Sequence, residues 1–229
     1  MARKIGIFSL ALAGLVAACT SGGQGYQDNP IARKFTWFSY IKGEDLKASC
    51  HAGAPDSYRF VYNGVYVEQV RTYDLEPAPD PSLVRMTARV TEKANLSSIQ
   101  IDPAHPDALG PWRPKTAVTD LPASEIARLK RSLLASGFLT REPPSRGISS
   151  IEFYWAVSAC LDGQFHLNAY VWPDAQFEQA SFSKLLFSWD MTEVAVNQPR
   201  KTDVLGVYGI SENEPEKLSN LFKLRFDQS

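Results

Sequence analysis

Apolar and polar residues alternate with a period of two in several stretches of the chain and recur with helical spacing in another. Leu83 to Thr91 places Val84, Met86, Ala88 and Val90 on one side and Arg85, Thr87, Arg89 and Thr91 on the other, the pattern of a half-buried strand. The stretches from Tyr58 to Tyr62 and from Val65 to Val70 are rich in β-branched and aromatic residues and flank Asn63-Gly64. Asn-Gly suits a two-residue type I′ turn, where both positions need φ > 0. The pattern therefore predicts a hairpin that sets Tyr62 against Val65, Phe60 against Val67 and Arg59 against Glu68. Asp162-Gly163, between Ser150–Leu161 and Gln164–Trp172, predicts a second hairpin by the same logic. Its register sets Trp155 against Tyr170 and Phe153 against Trp172, on a face that also carries Gln164, His166 and Asn168. The opposite face, with Tyr154, Ala156, Cys160, Phe165, Leu167, Ala169 and Val171, reads as core.

Helical spacing is clearest from Pro122 to Ser136. Ile126, Leu129, Leu133 and Leu134 form the apolar stripe, Asp120 is a candidate cap, Pro122 suits the first turn and Gly137 suits the position just past the end. The cations Arg128, Lys130, Arg131 and Arg141 read as a solvated face. Gly43 to Cys50 suits a short helix with Glu44 and Asp45 at its positive end. Phe35 to Ile41 is β-prone, and Phe177 to Trp189 carries both helical and strand features. The stretch from Asp102 to Asp120 holds Pro103, Pro106, Pro111 and Pro114 and reads as a long loop. Val204 to Ile210 reads as a strand, and Asn213-Glu-Pro-Glu216 can cap a last helix with Leu218, Leu221 and Phe222. The fold class expected is α+β: a mainly antiparallel sheet built from hairpins, with a few helices packed on one side.

Length and charge narrow the roles available. With 229 residues, 44% of them hydrophobic, the chain can bury one ordinary core. Its 24 Lys+Arg nearly cancel its 25 Asp+Glu, so a bulk electrostatic grip on nucleic acid is disfavoured. The first residues are charged and then apolar: Arg3-Lys4, an apolar run to Ala18, then Cys19. This order reads as a secretory signal, too short for a comfortable transmembrane helix. Leu15-Val16-Ala17-Ala18-Cys19 resembles the lipobox of bacterial lipoproteins, with Val16 where Leu is commoner. The resemblance covers residues 1–19 only. It implies cleavage after Ala18 and attachment of fatty-acyl chains, such as palmitate, to Cys19. Thr20 and Ser21 follow the cysteine where an Asp would favour inner-membrane retention, so the resemblance implies the periplasmic face of an outer membrane. Cleavage would remove Arg3, Lys4 and no acid, taking the formal net charge from −1 to −3. The bilayer would then be held through Cys19 rather than through a basic surface. Residues 19–33 form the acylated cysteine and a small, polar, Gly-rich tether spanning roughly 20 Å as a flexible coil. Residues 34–229 form a single folded domain.

Two cysteines remain. In an exported protein, Cys50 and Cys160 are expected to form a disulfide, which would bring His51 near Asp162 and Gln164. A metal site of Cys50, His51, Cys160 and His166 lacks the usual ligand spacing. No Gly-x-Ser-x-Gly, His-Glu-x-x-His, Walker loop or dinucleotide fingerprint occurs, and no catalytic residue, metal or cofactor is assigned. The aromatic and polar face of the second hairpin (Trp155, His166, Asn168, Tyr170, Trp172) is the candidate ligand face, since pockets combine apolar walls with a few polar anchors. The role expected is a noncatalytic binding or assembly module of the cell envelope, with an envelope protein or cell-wall component as partner. The alternative is an anchored envelope hydrolase with His51 or His166 as its base.

Overall fold

Strands β1 (Ser57–Gly64), β2 (Gln69–Pro77), β3 (Leu83–Glu92) and β4 (Lys115–Pro122) run as an antiparallel meander, and β6 (Phe153–Leu161) and β7 (Gln164–Val171) extend it from the other side of β1. The order across the six-stranded sheet is β4-β3-β2-β1-β6-β7. The computed structural model describes residues 37–92, 114–203 and 222–226. Helices are α1 (Glu44–Ser49), α2 (Ala123–Ala135), α3 (Ala175–Glu178) and α4 (Phe182–Trp189), with residues 37–42 also helical. A two-residue ladder joins β5 (Ile148–Ser149) to β8 (Lys223–Leu224). The chain is an α+β protein. Among the described residues no helix is long and apolar enough to cross a membrane. The signal sequence, Cys19, the tether, the strand expected from Val204 and most of the last expected helix lie outside the described residues.

The period of two divides the sheet residues between two cores. On the first face Phe60, Tyr62, Tyr73, Leu75, Met86, Trp155 and Tyr170 pack against Leu129 and Leu133 of α2 and Phe182 and Leu186 of α4. On the second face Val61, Val70, Tyr154, Ala156, Ala169 and Val171 pack against Trp37, Tyr40 and Ile41, with Ile148 and Leu224 of the small ladder. The helices therefore lie on both faces. Gly43, between residues 37–42 and α1, adopts φ 64°, and a Cβ there would lie 2.4 Å from Ser158 Oγ. Only glycine allows this segment to turn while lying flat on β6.

Four local expectations change. The stretch around residues 37–41 is helical rather than extended, because Trp37, Tyr40 and Ile41 supply a buried stripe at helical spacing. Asn63 and Gly64 continue β1 instead of turning: Asn63 is buried and its amide donates to the Ser150 and Glu152 carbonyls, while Gly64 pairs with Phe153. The turn falls at residues 65–68, with Val65 at φ 62° and its carbonyl accepting the Glu68 and Gln69 amides. The register moves by an even number, so Tyr62 meets Arg71, Phe60 meets Tyr73 and Arg59 meets Asp74, and no side chain changes face. Residues 115–120 form β4 rather than loop, since all four prolines precede them and Thr116, Val118 and Thr119 suit a strand. Asp120 therefore pairs with Arg85 (2.9 and 3.0 Å) and does not cap α2, which begins after Pro122.

The polar side of β3 is not solvated throughout. Arg89 and Thr87 are buried, and Arg89 donates to Asp74 at 2.8 Å. Arg59, also buried, donates to the other Asp74 oxygen at 2.7 Å and binds Asp45 with both terminal nitrogens (2.6 and 2.9 Å). The Tyr40 hydroxyl donates to Asp74 at 2.7 Å, and the Arg59 guanidinium lies 3.8 Å over the Tyr40 ring. On the first face Arg71 meets Asp190, which also accepts from Tyr73 at 2.7 Å and from Thr192. Arg71 and Gln69 then bind carbonyls of Val194 and Ala195, so side chains of β2 satisfy the irregular chain beyond α4.

Removing one partner from a buried ion cluster leaves charge without compensation. Asp74→Asn should destabilise the fold by about 3–5 kcal/mol, read from urea unfolding at neutral pH. Burial alone would raise the Asp45 carboxyl, but the Arg59 hydrogen bonds and charge hold it below the ordinary range. Burial opposes ionisation at Asp190 too, where Thr192, Tyr73 and Arg71 prevail and lower it. Groups whose folded pKa is depressed contribute stability above their unfolded pKa, about 3.9 for Asp, and lose it as pH falls through the folded value. The urea midpoint should therefore hold from pH 7 to about 5 and fall steadily below about pH 4. A midpoint that rises on acidification would contradict the cluster.

Candidate functional site

The Asp162-Gly163 turn places its two residues at φ 51° and 75°, and the strands pair in the expected register, Trp155 with Tyr170 and Ala159 with His166. The face that this register assigns to a ligand is nevertheless closed. Trp155 and Tyr170 are 1% exposed and Asn168 is 2% exposed. The Trp155 ring lies 5.6 Å from Phe182 and 5.4 Å from Phe187, both on α4. Asn168 donates to the carbonyls of Phe138 and Arg141 and accepts from the Ala169 amide. His166 stands edge-on to Phe138, and Trp172 packs half-buried against Phe153. These five residues belong to the first core or its margin. Helical cover could not be read from the strand pattern, because an amphipathic helix and a bound ligand both require apolar walls.

The opening lies on the other side of the same strand. Phe165 and Leu167, expected in the core, are half-buried and line a groove of about 560 Å³ with Lys42, Glu44, Lys47, Pro143 and Phe226. The segment 37–49 forms one wall. Glu44 is already engaged, accepting from Ser39 Oγ. Lys42 and Lys47 meet no acidic partner among the described residues. The floor is thus apolar, and among the described residues the rim carries Lys42 and Lys47 with the Glu44 carboxylate between them in sequence. A shallower hollow of about 450 Å³ lies at the start of β2, between Glu68, Gln69, Glu92 and Asn197; Arg200 and Asn197 bind Glu68, and Lys115 lies 4.0 Å from Glu92.

Cys50 and Cys160 are joined, with Cα atoms 5.5 Å apart. The bond ties the end of α1 to the end of β6, and the close approach of Gly163 to the His51 carbonyl packs the hairpin tip against the same segment. His51 accordingly sits by the turn, exposed, with Nδ1 3.1 Å from the Ala52 carbonyl oxygen. Asp56 bridges the neighbourhood, accepting from Lys130 at 2.7 Å and from the Asp162 amide at 2.9 Å. Burial acts to raise Asp56, and Lys130 with the Asp162 amide outweighs it and lowers the carboxyl. Among the described residues no three His, Cys, Asp or Glu side chains converge as a metal site would need.

No protein-family model, curated protein or solved structure matches the chain. The functional reading therefore stands on the residues themselves.

The Cys50–Cys160 bond closes a loop with a sequence separation of 110 residues. In the chain-entropy account such a crosslink contributes about 4–5 kcal/mol by restricting the unfolded chain. The Cys50→Ala/Cys160→Ala pair should lower unfolding free energy by a comparable amount. Thiol titration of the native, oxidised protein should find neither cysteine reactive until reductant and denaturant are added together.

Proposed function

We propose that the protein is a lipid-anchored lipoprotein of the periplasmic face of an outer membrane, and that its folded domain is a noncatalytic binding module of the cell envelope. The observation that carries the reading is the Leu15-Val16-Ala17-Ala18-Cys19 sequence after a basic and apolar leader, followed by a small, polar tether. Two or three acyl chains on one sulfur make dissociation negligible, since each buried methylene contributes about 0.8 kcal/mol. The tether then lets the domain sample positions roughly 20 Å from the bilayer. A linked cysteine pair in the domain suits an oxidising compartment. Binding rather than catalysis is favoured by a groove whose described lining offers apolar contact, two lysines and the single Glu44 carboxylate, with no histidine or paired carboxylates among those residues.

Metabolic labelling with a fatty-acid analogue should mark the wild-type protein and not Cys19→Ala, and the wild type alone should sediment with outer-membrane vesicles. Equal labelling of both, or a native N-terminus that retains Arg3-Lys4, would overturn the anchor. Crosslinking in intact envelopes should capture the domain with a partner in constant ratio.

A further inference from the structure

β7 is the last strand of the sheet, and its two halves are treated differently. In a hairpin closed by two residues, Leu161 and Gln164 form the hydrogen-bonded pair next to the turn. Residues 164, 166, 168 and 170 then bond to β6, while the amides and carbonyls of 165, 167, 169 and 171 point outward. The chain covers the later part of this edge itself. The Ala169 amide is taken by the Asn168 side chain, the Val171 carbonyl accepts from Asp174, and Asn168 anchors the 138–141 segment alongside. The outward groups of Phe165 and Leu167 have no such cover among the described residues. Proteins ordinarily blunt a free edge, because it templates pairing with another chain. Here the uncovered part lies beside the groove, whose floor is made by the side chains of the same two residues.

We propose that the Phe165–Leu167 edge and its groove bind an extended, acidic segment of an envelope protein, which adds to β7 as a further strand. Backbone bonds to residues 165 and 167 set the register. Alternate apolar side chains of the segment enter the groove over Phe165, Leu167 and Phe226, as in other strand-addition complexes. The acidic character follows from Lys42 and Lys47, two cations against the single Glu44 carboxylate in the groove lining, and neither lysine forms an ion pair among the described residues. The inference deepens the binding-module reading by naming the partner class, and it does not depend on the acyl anchor.

The test pans a displayed library of random heptapeptides against the purified full-length protein in detergent, then follows amide exchange with the enriched peptides. Enriched sequences should be acidic with apolar residues at alternate positions, and should slow exchange at Phe165 and Leu167 at least tenfold. Lys42→Gln/Lys47→Glu should weaken binding at least tenfold. Lys47→Glu alone, at an exposed position, should weaken it several-fold and keeps the test open if the double variant fails to fold. Enrichment of basic or uncharged peptides, unchanged binding in Lys47→Glu, or unchanged exchange at both amides would overturn the proposal. Protection of those amides by soluble peptidoglycan fragments but not by peptides would also overturn it, in favour of a glycan ligand. A protein captured in native envelopes through another surface would sink this inference and leave the binding-module reading standing.

Discussion

The carboxylate of Asp74 receives three donors at once, Arg59, Arg89 and the Tyr40 hydroxyl, in a region where little water reaches any of them. Ions so placed carry a desolvation cost that only close, saturated hydrogen bonding can offset. Each donor comes from a different element: β1, β3 and the helical segment at 37–42. The cluster can therefore form only when that segment lies across the sheet in one position. The Tyr40 hydroxyl shows the same constraint, since burial and then the neighbouring Asp74 charge strongly disfavour its ionisation and keep it a donor. Arg59 reaches on to Asp45 in α1, so the ionic contact continues along the segment. Whether these ions add net stability over an apolar replacement is secondary to their selectivity: an apolar surface would let the segment slide.

That placement makes the groove. Lys42, Glu44 and Lys47 belong to the segment the cluster fixes, and Phe165 and Leu167 belong to the strand beside it. The wall is held at three points: Arg59 binds Asp45, Gly43 sits against Ser158, and Cys50 is joined to Cys160. A surface supported in this way would need little reorganisation to accept the proposed partner, which would lower the ordering cost of association.

The second hairpin was legible residue by residue, because Asp162-Gly163 needs left-handed geometry and the flanking strands leave one register. The strand at β3 and the helix at α2 were equally plain from their periods. The first hairpin was misplaced because Asn63-Gly64 is a turn only if no tertiary contact claims it, and Asn63 is claimed by two carbonyls of a segment almost ninety residues away. Its facing survived because the register moved by an even number. The candidate site failed in a related way. Alternation divides β7 into two faces, yet what covers each is decided by α4 and by residues 37–49, which are distant in sequence. Trp155 and Tyr170 look suited to a ligand and are core; Phe165 and Leu167 look suited to core and line the opening. The buried ion cluster was invisible for the same reason: Arg59, Asp74 and Arg89 each occupy an ordinary polar position, and only the pairing of β1 with β2 and of β2 with β3 brings them together.

The two edges of the sheet offer a final contrast. β4 is exposed along most of its length and carries charge at both ends, Lys115 and Asp120, with Asp120 tied to Arg85. Charge on an edge discourages a second chain from pairing with it. The start of β7, uncovered among the described residues, carries the apolar Phe165 and Leu167 instead, and the charges lining the groove beside it are Lys42, Glu44 and Lys47. An edge that combines unpaired backbone with an apolar hollow is an aggregation hazard when left to chance. In the lipid-anchored protein proposed above the hazard would differ, because the acyl chains would confine the domain to a surface whose other occupants are envelope components. A rim with an excess of positive charge would disfavour basic strands and favour acidic ones, and so would make the proposed edge more selective.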